Sequence, residues 1–590
     1  MKWVKLQRNE VQRYRLALVA GVLLTLSFPK FEIAGLAWIA PGLLLASAAG
    51  LRGGPVFRIG FVGGLSYHLT VLYWLLLIPM GLPWKPVVVL GWIALSAYLA
   101  VFQGVWLWLA WKVCPLHWGE RLQTHNSEAS TPSGRVGEAR IVDPGLIDSL
   151  KSLALLSWSK RSFWSGLVAA IWVGLEMVQA RFLTGFPWGL LGVSQYQMLP
   201  LTQIATITGV YGLSFLLIWF SASLCCAGAL LLFKPAARRT WMADLFAPVL
   251  VVAIIFAAGL HRVMHTPQSP RQIRVALIQP SIPQTMIWDE KEAMTRFHQV
   301  LEWSEKALAE GFKPDLLVWP EAAVPGFFLW ETNLYDGKTI YDWITGFARD
   351  HRVWMVMGAD DADPLPNGQI NYYNSSFLIN PGGDVLAKYR KRRLVIFGEY
   401  VPFSRWLPFL SKMVQSEGEF TPGNEPVAFR LNSLNVVTSV LICFEDVFPH
   451  LTREYAQPDT DFLLNLTNNG WFGESAAQWQ HAASAVFRAI ENNLPLVRCA
   501  NNGLTCWVDR RGQMHNVYFS NSNDVYKAGY KIVSIPVGSS GKYIPTFYRQ
   551  YGDLFGWICC ALSLLAVIRL EVRTRKAMRG AVEPAREVSW

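Results

Sequence analysis

Charged side chains are scarce in this chain. They make up 16% of 590 residues, against 52% hydrophobic, where an average soluble domain carries about 25% charged residues. That scarcity excludes a disordered chain and a string of four soluble domains, which the length alone would suggest. Cysteine is sparse too: eight residues rule out a secreted disulfide scaffold. No heptad pattern supports a coiled coil. The ten histidines show no zinc-type spacing, and neither a phosphate loop nor a dinucleotide fingerprint is present. No metal and no cofactor is expected.

What the chain has instead is long apolar runs and 27 tryptophans, a residue that settles at membrane–water boundaries. A bilayer core of about 30 Å needs roughly 20 apolar residues per helix. Eight candidate spans run near 15–29, 32–50, 59–79, 87–111, 163–180, 205–233, 242–262 and 553–570. The first follows a basic stretch (Lys2, Lys5, Arg8, Arg13, Arg15) with no small-residue cleavage pattern behind it, so it reads as an uncleaved anchor. The net charge of +11 forms no surface stripe, which argues against a nucleic-acid partner. Lys and Arg instead crowd into alternate loops: Arg52 and Arg58, Arg121 to Arg161, Lys234 to Arg239, and Arg573 to Arg579. The positive-inside rule then places both termini in the cytoplasm. Residues 1–263 form seven spans, with a polar, flexible cytoplasmic insert near 115–160. Residues 264–552 form one periplasmic domain, and 553–590 an eighth span and basic tail.

The 264–552 segment alternates short β-rich runs with helical patterns, which predicts α/β layers with buried sheets. Strands are expected at Ile273–Ile278, Leu316–Trp319, Val353–Met357, Ser376–Ile379, Val436–Ile442 and Asp461–Leu466, and an amphipathic helix at 289–310. Three strands run into reactive side chains: Glu321 after Trp319-Pro320, Lys391 after the strand that follows the Pro381–Asp384 turn, and Cys443, followed by Phe444-Glu445. A thiol is a weak nucleophile until a base or a positive charge favours its thiolate. A carboxylate can take the proton, and an ammonium can stabilise both thiolate and oxyanion. Taken singly, each residue has an ordinary reading as a buried small hydrophobe, a solvated acid or part of a basic face. Together they suit covalent catalysis.

The motifs around these residues carry a resemblance. Trp319-Pro320-Glu321, Lys391 in Tyr389-Arg390-Lys391-Arg392-Arg393-Leu394-Val395-Ile396-Phe397-Gly398-Glu399, and Cys443-Phe444-Glu445 are similar to the Glu–Lys–Cys triad of the nitrilase superfamily. Further matches are Asp459 to Leu464, Asn468 to Gly473, Gln478 to His481 and, in the membrane half, Thr184-Gly185-Phe186-Pro187-Trp188 and Ser194-Gln195. With these the chain resembles the membrane-embedded branch of that superfamily, the apolipoprotein N-acyltransferases. The resemblance implies an α-β-β-α sandwich. It makes Glu321 the general base, Lys391 the oxyanion stabiliser and Cys443 the nucleophile that becomes an acyl thioester. It gives Glu399 and Glu445 orienting roles, and sets Trp288 and Trp471 against the substrate. It implies a monomer in the bacterial inner membrane, a phospholipid acyl donor and a diacylated apolipoprotein acceptor. Four positions depart from the family pattern: Phe444 for Tyr, Ile396 for Pro, Asn469-Gly470 for Asp-Ala, and Gln179 for Arg.

Two other functions compete. A membrane-tethered carbon–nitrogen hydrolase would use the same triad with water. A transporter would need central ionisable residues and inverted repeats, of which the spans show few and none obvious; Glu176 and Gln179 lie near a helix end, where they could face the soluble domain. Cys499 and Cys506 flank an Asn501-Asn502-Gly503 turn, which leaves open a disulfide or a reduced, buried pair.

Overall fold

The computed structural model describes residues 2–81, 84–116, 145–236, 238–265, 269, 271–287, 289–311, 313–330, 334, 337–401, 419–520, 522–538 and 544–582. Most of the expected 115–160 insert, and Trp288, lie outside the described residues. Its end is not a polar loop: Leu146–Leu155 is a helix that buries Leu153 and Ala154, and the next helix already starts at Trp158.

Among the described residues, five helices are long and apolar enough to cross a membrane: Lys85–Lys112, Trp158–Gln179, Val210–Phe233, Arg239–His265 and Leu554–Lys576. Eight spans were expected, and the three N-terminal ones fall short for physical reasons. The helix Lys2–Leu26 spends its first half on basic residues, and its Arg13 is buried, donating to Ser47 O at 3.0 Å and Ala49 O at 2.9 Å. The second breaks at Ile39 into a 3₁₀ turn, Ala34–Trp38, and a short helix, Ala40–Ser47. The third, Gly54–Val71, exchanges hydropathy for close packing. A Cβ on Gly60 would stand 2.7 Å from Gln103 O, so small residues are what let this helix lie against Lys85–Lys112.

The remainder is an α-β-β-α sandwich. One six-stranded sheet is built from β1 (Gln272–Gln279), β2 (Leu316–Val318), β3 (Trp354–Pro364), β4 (Ile370–Ile379), β5 (Val385–Arg390) and β12 (Gly529–Pro536), in the order β12-β1-β2-β3-β4-β5. The other is built from β6 (Ala428–Leu431), β7 (Val436–Ile442), β8 (Phe462–Thr467), β9 (Leu496–Ala500), β10 (Cys506–Val508) and β11 (Met514–His515), in the order β11-β10-β9-β8-β7-β6. In each sheet three central strands run parallel (β1-β2-β3 and β7-β8-β9), flanked by antiparallel ones.

Side chains of a strand alternate between faces, and the core divides on that rule. Val275, Leu277, Leu316, Val318 and Val356 meet Val440, Leu464 and Val497 of the other sheet. Their neighbours Ala276, Ile278, Leu317, Met355 and Met357 pack outward against Phe297, Val300, Ile340 and Ile344 of two covering helices, Ala293–Ala309 and Ile340–Asp350. The inter-sheet cluster continues without a gap into the apolar interior of the membrane helices. The parallel strands therefore aim their carboxyl ends at one place, where sheets of this kind bind ligands.

Candidate active site

Glu321 follows β2 by three residues. Gly358 on β3 makes room for it: a Cβ there would lie 2.6 Å from Pro320 O and 2.7 Å from the Glu321 Cα. The carboxylate accepts from Lys391 Nζ at 3.2 Å and Asn374 Nδ2 at 2.9 Å on one oxygen, and from the Asn468 backbone N–H at 2.8 Å on the other. Lys391, the residue after β5, is 1% exposed. Its ammonium also donates to Glu399 Oε1 at 2.8 Å, and Asn374 Nδ2 reaches that same oxygen at 2.9 Å. One ammonium and one amide thus hold two carboxylates together. Burial opposes the charged ammonium, but Glu321 and Glu399 outweigh it and raise the Lys391 pKa well above the usual lysine value.

Cys443 directly follows β7 in the left-handed region, at φ +56°. A non-glycine residue there stores strain and occurs where surrounding structure enforces it. Here Asn465 Nδ2 donates to Cys443 O at 2.7 Å, and Glu445 closes the turn by accepting from Ile442 N at 2.8 Å. Glu445 does not touch Lys391. It accepts from the backbone N–H groups of Arg392 (2.7 Å) and Arg393 (3.0 Å) and from Tyr389 OH (2.8 Å), so it fastens the lysine's strand end to the cysteine's turn. Its two sheets are joined at that carboxylate. Cys443 as a residue is half-buried, and the surrounding protein desolvates its thiol. Burial, then Glu321, push its pKa up to about 12, and Lys391 pulls the other way. Phe444 lies under the ammonium, 5.7 Å from ring centre to Nζ, a contact that needs no phenolic hydroxyl.

Of the residues singled out in the sequence, Glu321, Lys391, Glu399, Cys443 and Glu445 come together. Trp471 is half-buried on the 3₁₀ turn Asn469–Phe472 directly after β8 and Asn468. Asn374 and the Asn468 N–H went unnoticed in the sequence; an asparagine amid Tyr372, Tyr373, Ser375 and Ser376 in a buried strand was the available signal. His481 lies one step back from the thiol, Nε2 2.6 Å from Asp446 Oδ1 and Nδ1 3.2 Å from Asn469 Oδ1. Glu176 and Gln179 do not face the sandwich. Glu176 accepts from Trp172 Nε1 (2.9 Å) and Leu191 N (2.8 Å), and Gln179 donates to Phe186 O (3.1 Å), clamping the loop that carries Trp188. Gly185 in that loop has φ +84° and a phantom Cβ 2.1 Å from Ala180 O, so only glycine fits. Cys499 and Cys506 are both free. Cys506 stands opposite Arg498 in the β9–β10 ladder, so Cys499, one residue on, points to the other face. There its thiol donates to Ile278 O at 3.3 Å, in the sheet interface.

A strained cysteine at the carboxyl end of a parallel strand, faced by a lysine held between two glutamates, defines a nitrilase-type site. Comparison with known proteins agrees. Residues 274–526 match the carbon-nitrogen hydrolase family, and residues 20–125 and 145–223 match the apolipoprotein N-acyltransferase N-terminal domain. The chain is 36% identical to an apolipoprotein N-acyltransferase of Geobacter metallireducens over 93% of both proteins. It is 26% identical to one of Chlorobaculum tepidum, over 95% of this chain and 96% of the relative. An amidase from Nesterenkonia sp. overlays 46% of this chain and 92% of its own at 19% identity and a TM-score of 0.33. The chain belongs to the apolipoprotein N-acyltransferase family.

Proposed function

We propose that the protein completes bacterial lipoprotein maturation, moving a fatty acyl chain from a membrane phospholipid to the N-terminal amine of an S-diacylglyceryl-cysteine apolipoprotein. The observation that carries this reading is the Lys391 ammonium fixed between Glu321 and Glu399 beside Cys443, in a sandwich whose core runs on into an apolar helix bundle. Glu321 removes the thiol proton, and the sulfur attacks the ester carbonyl of the donor. The oxyanion forms beside Lys391, and the lysophospholipid leaves with the proton from Glu321. The acceptor amine then attacks the thioester, its proton passes to Glu321, and Cys443 is released as a thiol. Glu399 and Glu445 orient the lysine and the cysteine turn, and Trp471, with Trp288, borders the substrate.

All eight apolar segments cross or enter the bacterial inner membrane in this reading, the three short ones as part of the bundle. The basic loops set both termini in the cytoplasm and the sandwich in the periplasm. The enzyme works as a monomer with lipid-borne substrates.

Intact-mass measurement tests the chemistry. After incubation with phospholipid alone, the protein gains one fatty-acyl mass on Cys443 that hydroxylamine removes. A diacylated lipopeptide then discharges it and becomes triacylated, with ping-pong kinetics. Free fatty acid released equally fast with or without lipopeptide would replace the transferase reading with a hydrolase.

A further inference from the structure

Gln480 sits in the helix Ala477–Asn492, buried where the sandwich meets the bundle. Its amide uses its whole hydrogen-bonding capacity, two acceptor sites and two N–H donors. Oε1 accepts from the indole N–H groups of Trp74 (3.1 Å) and Trp188 (2.8 Å). Nε2 donates to Pro29 O (3.1 Å) and Val71 O (3.2 Å). All four partners belong to the membrane half. Neither a carboxylate nor an apolar side chain can replace an amide that must accept twice and donate twice.

The adjacent residue faces the other way. His481 bonds Asp446, which lies in the 3₁₀ turn Cys443–Val447 that opens on the cysteine and is itself paired with buried Arg498. His481 also meets Asn469, on the turn that carries Trp471. The two indoles repeat the connection through their rings. Trp74 packs edge-on against Phe472 of that turn, with centroids 4.5 Å apart, and Trp188 lies 5.6 Å from the His481 ring. Behind Trp188, Glu176 and Gln179 brace the loop. Two neighbouring residues on one helix therefore join the bundle to the nucleophile's turn, with polar contacts on either side of a single backbone step.

We infer that Gln480 is a positioning residue for acyl transfer: by seating its helix on Trp74 and Trp188, it lets His481 and Asp446 hold the Cys443 turn. This rests on the acyl-transfer reading and adds to it that the membrane half sets the nucleophile's geometry as well as tethering the domain. Displacements of about 1 Å caused by changes remote from the chemistry cost up to about 100-fold in rate.

The test uses the full-length protein in vesicles of phosphatidylethanolamine and phosphatidylglycerol. Three quantities are followed: thioester formation at Cys443 by intact mass, the pH profile of Cys443 alkylation by iodoacetamide, and the thermal unfolding midpoint. In Gln480→Met we expect thioester formation to slow about 10- to 100-fold, with the alkylation profile displaced and the protein still folded at the assay temperature. Trp188→Phe keeps an aromatic ring and loses the indole N–H, so it slows the step less. The double variant is little worse than Gln480→Met alone, because the bond that Trp188→Phe removes is already lost there. Wild-type rate and alkylation profile in folded Gln480→Met, or additive losses in the double variant, would overturn the inference. If Gln480→Met does not fold, an unchanged rate in Trp188→Phe overturns it. If the wild-type protein forms no thioester, acyl transfer itself fails, and the alkylation profiles alone decide whether Gln480 positions the cysteine.

Discussion

The two halves of the sandwich contribute unlike things to the site. The first sheet supplies its charge: Glu321 after β2, Asn374 on β4, Lys391 after β5 and Glu399 beyond it. The second supplies the nucleophile, the groups that hold its turn, Asn465, Glu445, Asp446 and His481, and the Asn468 N–H that binds Glu321. Their attachment to the bundle differs as well. Arg393, at the end of the first sheet, reaches Thr184 O at 3.3 Å. The second half is fastened at many points: Gln480 by four bonds, Glu491 accepting from Val210 N at 2.8 Å, Gln203 donating to Arg511 O at 2.8 Å, and Arg262 donating to Asn493 Oδ1 at 3.1 Å. The charged cluster is thus organised within its own domain, while the nucleophile's half is built onto the membrane helices. A covalent acyl enzyme needs its sulfur at a fixed depth relative to the bilayer; its acid–base partners need only a fixed distance to the sulfur.

The severest break removes a member of either half. Cys443→Ala and Lys391→Met should each lower turnover by a factor on the order of 10⁴ or more, since groups that act as a unit fail together. The double variant should be no slower than the singles. Substantial turnover in folded Cys443→Ala would end the covalent mechanism.

Glu321 and Cys443 were legible because each follows a short apolar run, a pattern that survives without any knowledge of pairing; Lys391, in a basic stretch, was legible only through the motif around it. The cross-links were not. Asn374 reads as an unremarkable polar residue in β4, and Asn468 acts through its backbone, which no side chain announces. β12 returns from 529–536 to pair antiparallel with β1, a long-range contact outside any local period. The open disulfide between Cys499 and Cys506 was settled by strand alternation, because a register of one residue sends neighbours to opposite faces. The expected count of eight spans came from hydropathy alone, which registers neither the buried Arg13 nor the glycine-mediated packing of Gly54–Val71.

A gentler break concerns Asn374, whose amide NH₂ donates to both Glu321 and Glu399. Asn374→Leu keeps the branched shape and leaves Lys391 to bridge the two carboxylates without the amide. A hydrogen bond to a charged group is worth about 1.5–3 kcal/mol, so turnover should fall roughly 10- to 100-fold. Wild-type turnover in a folded variant would mean that Asn374 does not organise the carboxylates.

The smallest effect separates two members of the first half by sign. Burial raises the Cys443 thiol pKa first, Glu321 raises it further, and Lys391 lowers it. With the pKa up at about 12, the thiol is protonated at neutral pH, and the thiolate fraction below that value rises about tenfold for each unit by which the pKa falls. Glu321→Gln deletes a charge that disfavours the thiolate, so iodoacetamide should alkylate Cys443 several-fold faster at pH 8 even though turnover is lost. Lys391→Met deletes the charge that favours it and should slow the same reaction. Opposite signs from two substitutions that are equally damaging to turnover would show that the first half acts on the sulfur through its field and through proton transfer alike. Slower alkylation in Glu321→Gln would instead mean that Glu321 assists even this reaction as a base, and that its charge matters less to the thiol than its capacity to take the proton.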